Sequence, residues 1–200
     1  SSAVAQFFSL PVSIQSFIGP ILPLFILDWI LCYTKTMLIL GIDPGTATTG
    51  IGLIKTNGKA GDIKLLHFDW IKTNKDELRE KRLMVIHNGI VDLLKKHKPD
   101  ILAIERLFFA TNVKTAMAVS EAVGVIRLAA AKQKVSVFDY APMQVKLEIC
   151  GSGKADKMLM KKTVRKLLSF RSPNHKKTHF DDVCDALAVA ICHARKSMIK

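Results

Sequence analysis

The alternation of apolar and polar positions becomes regular only after the first 36 residues. The apolar run Leu38–Ile42 predicts a short strand that stops at Asp43, where a Pro-Gly pair supplies a turn. Residues 50–56 and 63–72 predict two further strands, and an Asn-Gly pair after the first of them is typical of a hairpin turn. This part of the chain therefore predicts three consecutive antiparallel strands.

A helical pattern follows these strands. Apolar residues three or four positions apart predict a helix within 75–97. Asn74 and Glu77 have the spacing of a capping box, which would place the start of the helix close to them.

The second half of the chain alternates between strand and helix. Strands are predicted at 101–105 and 135–140, with an alanine-rich helix from about 113 to 132 between them, and further helices at about 155–169 and 180–196. Strand-helix-strand succession is typical of parallel strands. The prediction is an α/β protein whose mixed five-stranded sheet, three antiparallel strands followed by two parallel ones, is flanked by helices.

Size and charge narrow the class of protein. Two hundred residues, 49% of them hydrophobic, suffice for one well-buried domain. The net charge of +13, from 30 Lys and Arg against 17 Asp and Glu, predicts a polyanionic partner such as nucleic acid or anionic lipid. The four cysteines have neither the pattern of a disulfide framework nor zinc-ligand spacing, which indicates reduced thiols and a cytoplasmic protein.

Residues 1–36 differ from the rest of the chain. They are apolar throughout, with Asp28 and Lys35 as the only charges and three prolines among them. The prolines and Asp28 weaken the alternative of a membrane span, and the segment lacks the basic start of a signal peptide. Because Met37 directly precedes the first strand, we expect 1–36 to be a non-native or disordered extension and 37–200 to be the folded domain, with no membrane partner.

Carboxylates stand out as candidate chemistry. Asp43 and Glu105 each end an apolar strand, and parallel neighbours place such residues at one edge of a sheet. Asp182 and Asp185 lie three residues apart on one face of the last predicted helix. Any one of these acids alone is typical of a turn or of a helix N-terminus, but two strand-end acids and a paired-acid helix together predict a single site.

A cluster of four carboxylates predicts bound cations. The acids would repel one another strongly in a water-poor site unless cations neutralised them, and hard oxygen ligands suit Mg²⁺ or Mn²⁺. Two such ions about 4 Å apart can hold a phosphodiester, activate a water molecule and stabilise the leaving oxygen. The basic surroundings would hold a nucleic-acid backbone while the acids bind the metal.

Four segments of the chain carry a resemblance to a known family. They are LGIDPGTATTGIG at 40–52, LAIERLFF at 102–109, VKLEICGSGKADK at 145–157 and DDVCDALAVAICH at 181–193. In this order and spacing the chain resembles the RuvC family of bacterial Holliday junction resolvases, which belong to the ribonuclease-H-like superfamily. The resemblance places the four catalytic, metal-binding acids of the family on Asp43, Glu105, Asp182 and Asp185.

The resemblance also implies further roles. Phe108 would stack on bases near the junction centre, and Lys146 and Lys157 would serve DNA binding and catalysis. It implies two Mg²⁺ ions per site, with Mn²⁺ able to substitute, and a homodimer that makes paired nicks in opposite strands of a four-way DNA junction together with the RuvA and RuvB proteins. Asp181 has no assigned role in the motif. His179 precedes the pair Asp182 and Asp185 closely enough in the sequence to be an auxiliary ligand or base.

Three other functions share parts of this pattern. A ribonuclease-H-like nuclease acting on structured RNA would use the same metals on a different substrate. A sugar-kinase or actin-like ATPase shares the Ile-Asp-x-Gly-Thr pattern but needs two such domains, for which the chain is too short. A non-catalytic junction-binding protein would use the basic surface alone, yet all four matching carboxylates are present.

Overall fold

One mixed sheet forms the centre of the computed structural model. The structure describes residues 36–57, 62–106, 113–170 and 179–197. The strands are β1 Met37–Asp43, β2 Thr48–Thr56, β3 Ile63–Lys72, β4 Ile101–Glu105 and β5 Ser136–Tyr140. Their order is β3-β2-β1-β4-β5, with β3, β2 and β1 antiparallel and with β4 and β5 parallel to β1. The predicted five-stranded mixed sheet is confirmed.

Helices cover both faces of the sheet. They are α1 Arg79–His97, α2 Val113–Lys132, α3 Pro142–Cys150, α4 Lys157–Leu168 and α5 Phe180–Ser197. One face packs on α1 and α2 through a core that includes Leu40, Leu102 and Ile126. The opposite face packs on α3, α4 and α5 through a second core that includes Ile39, Val164 and Leu187. Strand residues alternate between the two cores because successive side chains point to opposite faces.

The helix α5 lies directly on the centre of the sheet. Its residues 186–192 are all fully buried, and three of them are alanines. Gly41 of β1 allows this close approach, because a Cβ atom there would lie 2.1 Å from the carbonyl oxygen of Ala186. The small side chains on both sides thus fix the height of α5 above β1.

Two local features differ from the sequence prediction. The helix α1 begins at Arg79, so the predicted capping box is wrong. Asn74 instead closes a turn ahead of the helix, where its side-chain oxygen accepts a hydrogen bond from the backbone N–H of Asp76 at 3.1 Å. The helix α3 was not predicted, because its nine residues are too short for a clear helical repeat.

The remaining sequence expectations on the fold have mixed outcomes. Cys150, Cys184 and Cys192 are free thiols, as predicted, while Cys32 lies outside the described residues. Apart from Thr36, the segment expected to be an extension also lies outside them. No helix in the described ranges is long and apolar enough to cross a membrane.

Candidate active site

Two carboxylates end neighbouring parallel strands. The register between β1 and β4 pairs Ile42 with Ile104, so the next residue on each strand, Asp43 and Glu105, is at the same edge of the sheet. Both acids are only partly exposed. The predicted convergence of the strand-end acids is confirmed.

The start of α5 brings the other two acids to this edge. Gly50 of β2 pairs with Asp43, and a Cβ atom on Gly50 would lie 2.1 Å from the carbonyl oxygen of Asp182. Only a residue without a side chain allows the first turn of α5 to come this close to the strand. Asp182 and, one turn later, Asp185 therefore lie beside Asp43.

Burial and mutual repulsion control the protonation of the strand-end acids. Burial, together with the negative charges of Glu105, Asp185 and Asp182, raises the pKa of Asp43 from 3.8 to about 8. Burial and the charge of Asp185 raise the pKa of Glu105 from 4.5 to about 7, although Lys146 and Lys157 act in the opposite direction. Shifts of this kind show that the acids share one electrostatic environment.

The helix acids are perturbed in the same direction. Burial is the largest cause that raises the pKa of Asp185, and neighbouring Asp181 and Asp182 add to it. Burial also raises the pKa of Asp182, against the opposing charges of Lys157 and His179. Ionisation is therefore less favourable for each of the four predicted acids in this site than in water.

Lys157 forms ion pairs with two carboxylates at the start of α5. Its ammonium lies 3.5 Å from Asp185 Oδ2 and 3.7 Å from Asp181 Oδ2. Burial alone would lower its pKa, but these ion pairs outweigh burial and raise the pKa above its usual range. Lys157 sits at the first residue of α4, where Asp156 caps the helix by accepting a hydrogen bond from the N–H of Leu159 at 2.7 Å.

Asp181 has a role that its motif did not assign. It forms an ion pair with Lys161, one turn after Lys157 on α4, and this hydrogen bond is the largest cause that lowers the pKa of Asp181. Asp181 thus joins α4 to the start of α5 rather than adding a fifth unneutralised carboxylate. Lys161 was missed in the sequence, where its spacing of four residues from Lys157 was the available signal.

The second predicted lysine also reaches the site. Lys146 of α3 lines a cavity of about 170 Å³ together with Glu105, Lys157 and Asp185. The positive charge of Lys146 lowers the pKa of Glu105, which requires the two groups to be near one another. The structure thus brings both lysines to the carboxylates.

Two other residues singled out in the sequence have different outcomes. His179 lies beside the acids, with Nδ1 at 3.8 Å from Asp182 Oδ2 and 3.4 Å from the hydroxyl of Thr48. Thr48 carried no sequence signal of its own. Phe108 lies outside the described residues, so its predicted stacking role stays a prediction.

The chemistry of the donors fits a divalent cation. Within the described residues, no three His, Cys, Asp or Glu side chains are close enough to hold a metal ion as they stand. The electrostatic coupling of the acids nevertheless places them in one site, where burial first and repulsion from neighbouring carboxylates second raise all four pKa values. Hard carboxylate oxygens are the ligands that Mg²⁺ and Mn²⁺ prefer.

Comparisons with known proteins identify the family of the chain. The family model of crossover junction endodeoxyribonuclease RuvC matches residues 39–193. The chain is 44% identical over 161 residues to the RuvC of Desulforamulus reducens, covering 80% of this chain and 95% of the relative. It is 46% identical over 158 residues to the RuvC of Moorella thermoacetica, covering 79% and 91%.

A solved structure gives the same result at the level of the fold. The chain is similar to Thermus thermophilus RuvC in complex with a Holliday junction substrate, with a TM-score of 0.73, 32% identity and coverage of 82% of this chain and 96% of that one. This similarity and the order of the strands confirm the predicted ribonuclease-H-like fold. The chain belongs to the RuvC family of crossover junction endodeoxyribonucleases.

Proposed function

We propose that this chain resolves Holliday junctions by hydrolysing one phosphodiester in each of two opposite strands, at the site formed by Asp43, Glu105, Asp182 and Asp185. The observation that carries the proposal is the convergence of these four acids, with raised pKa values, at one sheet edge. A net charge of +13 on the chain favours a polyanionic substrate around this acidic centre.

Membership of the RuvC family implies dependence on a divalent metal ion. We propose that the ion is Mg²⁺, with Mn²⁺ able to substitute, and that two ions bind per site. The four acids would hold them. When bound, divalent cations lower the pKa of a water molecule and stabilise charge on the phosphodiester oxygens. Placing the acids on two strand ends and one helix holds the ligands on rigid elements.

The two lysines support this chemistry in different ways. Lys157 neutralises Asp185 and Asp181 in the metal-free protein, and a phosphate or a metal ion can compete for the same contacts. Lys146 lines the small cavity together with Glu105, where its positive charge suits contact with the scissile strand. We also propose that Phe108 stacks on bases near the junction centre, since aromatic faces receive unstacked bases.

Paired nicks require two sites, which supports a homodimer. Large apolar side chains are exposed on the two helices of one layer: Met84 and Val85 on α1, and Met117 and Leu128 on α2. A second copy of the chain could bury them, since exposed apolar patches mark interaction surfaces.

The proposed function also includes cooperation with the RuvA and RuvB proteins. It takes place in the cytoplasm, where bacterial DNA lies.

A comparison of substrates tests the proposed function. The full chain is incubated with a synthetic four-way DNA junction, a linear duplex of the same sequence and a structured RNA, with Mg²⁺ or with a chelator. The proposal expects symmetric nicks in the junction alone, and only with metal. Metal-dependent cleavage of the RNA instead would indicate the alternative nuclease, and tight junction binding without any cleavage would indicate a non-catalytic binding protein.

A further inference from the structure

The turn that follows Asp43 is held by hydrogen bonds from three parts of the chain. They come from Thr49 on β2, from Thr73 just after β3 and from Arg82 on α1. The hydroxyl of Thr49 on β2 donates to the carbonyl oxygen of Gly45 at 2.8 Å. Just after β3, the backbone N–H of Thr73 donates to the carbonyl oxygen of Ala47 at 3.0 Å. The carbonyl oxygen of Thr46 between them accepts from two side chains, which lie outside the carboxylate cluster.

Among the residues that form these hydrogen bonds, Arg82 is the most distant in sequence from the turn. It extends from the first turn of α1, where its Nη2 donates to the carbonyl oxygen of Thr46 at 2.7 Å and its Nε donates to the hydroxyl of Thr73 at 3.0 Å. The hydroxyl of Thr73 in turn donates to the same carbonyl oxygen at 2.5 Å. One guanidinium therefore closes a three-membered network with a single backbone oxygen.

The geometry of this network needs an arginine. The planar guanidinium donates from two nitrogen atoms in a fixed fork, whereas a lysine offers one ammonium on a flexible stem. Thr73 is 7% exposed, so its hydroxyl depends on protein partners. A charged donor also makes the hydrogen bond to Thr46 stronger than a neutral one.

The position of this turn bears on the active site. Thr46 is three residues after Asp43, and the strand β1 ends at Asp43, so the backbone beyond it receives no further support from β1. Loosening of the turn would let the carboxylate of Asp43 move relative to Glu105 and to the start of α5. Small misplacements of catalytic groups lower rates strongly.

We propose that Arg82 is a positioning residue, which fixes the carboxylate of Asp43 for metal binding by clamping the turn at Thr46 from α1. The inference rests on the proposed function of Asp43 as a metal ligand. Arg82 touches neither substrate nor metal in this role. It links the layer of α1 and α2 to the catalytic edge of the sheet.

Three variants of the full chain test this proposal. Arg82→Gln removes the charge and one arm of the fork, and Arg82→Lys keeps the charge without the fork. Thr73→Val removes the bridging hydroxyl. Lys81→Gln is the matched control, because Lys81 is the neighbouring cation on α1 and its ion pair, at 3.5 Å, is with Glu77 on the surface.

The readouts are hydrogen exchange of the amides at 45–49 without metal, Mn²⁺ affinity, and single-turnover cleavage of a four-way junction. Arg82→Gln is expected to exchange at 45–49 at least about tenfold faster, to bind Mn²⁺ about tenfold more weakly and to cleave about a hundredfold more slowly, with unchanged junction affinity. Arg82→Lys is expected to recover only part of each loss. Arg82→Gln and Thr73→Val together are expected to be no worse than either alone, since they break one network.

Either of two results would overturn the inference. Wild-type exchange and wild-type Mn²⁺ affinity in Arg82→Gln would show that the clamp does not position Asp43. Equal loss in exchange protection across β1, α1 and the turn would show a general structural role only. If the wild-type protein cut no junction, the proposed function would fail, while exchange and Mn²⁺ affinity would still decide the role of Arg82.

Discussion

The alpha carbon of Gly50 faces the backbone of Asp182 so closely that a Cβ atom on Gly50 would lie 2.1 Å from the Asp182 carbonyl oxygen. Gly50 also pairs with Asp43 across the β1–β2 ladder. One glycine on β2 therefore sets the separation between the strand that carries the first acid and the helix that carries the last two. The geometry of the candidate active site depends on backbone packing as much as on its carboxylates.

Replacing Gly50 with alanine is expected to disrupt the site. The methyl group has no room beside Asp182, so α5 must shift, at a cost of about 1 to 3 kcal/mol for overpacking. Cleavage is expected to fall at least about a hundredfold, because the carboxylates separate. Gly124→Ala is the control for thermal stability, since nothing lies within 4 Å of a Cβ atom at Gly124 on α2. Full cleavage by Gly50→Ala would contradict the packing argument.

The carboxylate of Asp43 predicts an unusual dependence of stability on pH. Its pKa rises from 3.8 to about 8 on folding, so the metal-free folded protein holds a proton that the unfolded chain releases. The stabilisation from this proton is complete below about pH 4 and is lost as the pH rises through about 8.

Asp43→Asn removes this titration. Above about pH 8 the metal-free variant is expected to unfold at higher denaturant concentration than the wild type, with a gain of a few kcal/mol at about 1.4 kcal/mol per pKa unit. The gain should shrink towards about pH 4. Urea unfolding in chelator at several pH values measures it, and parallel pH profiles for the two proteins would rule out the buried, repelled carboxylate.

Much of this arrangement could be predicted from the sequence, because the acids stand at points where the apolar pattern changes. Asp43 and Glu105 end apolar runs, and Asp182 and Asp185 share the polar face of an otherwise buried helix. The parallel pairing of β1 and β4 then brings the strand acids together. For these residues a local pattern and the order of elements were sufficient.

Other features depend on contacts between distant residues and had no local signal. Gly50 looks like any strand glycine until α5 packs on it, and Arg82 looks like one of many surface cations until Thr46 lies opposite. The capping box was predicted wrongly because Asn74 bonds within its own turn instead of starting α1. Side-chain to backbone hydrogen bonds of this kind compete with helix caps for the same residue types.

Lys157 is expected to oppose metal binding and to promote cleavage. Lys157→Gln removes the cation that pairs with Asp185, so the metal-free carboxylates lose a partner and a divalent ion meets less competition. Mn²⁺ is expected to bind about tenfold more tightly, equivalent to about 1.4 kcal/mol, while cleavage slows. Titration calorimetry gives the affinity. Lys162→Gln, an exposed cation on the same helix, serves as the control, and weaker Mn²⁺ binding by Lys157→Gln would contradict this account.

A buried pair whose tyrosine is the β5 register partner of Glu105 provides a contrasting prediction. The hydroxyl of Tyr140 lies 2.7 Å from Nδ1 of His193, and burial raises the pKa of Tyr140 to about 12 and lowers that of His193. Tyr140→Phe leaves the buried His193 nitrogen without this partner, which is expected to cost about 1 to 3 kcal/mol in unfolding free energy. Thermal melting measures the loss. Cleavage below the melting transition is expected to be unchanged, and a selective loss of cleavage would show that the pair contributes to the site.

The central claim is that four carboxylates form one metal-dependent centre for cutting junctions. Single-turnover cleavage and junction affinity are measured for the wild type, for the four variants Asp43→Asn, Glu105→Gln, Asp182→Asn and Asp185→Asn, and for Asp92→Asn on the exposed face of α1 as a control. Each of the four is expected to cut at least about a thousandfold more slowly in saturating Mg²⁺ while binding the junction within a few-fold of the wild type, and the control is expected to cut normally. Wild-type cleavage by any of the four would contradict the claim.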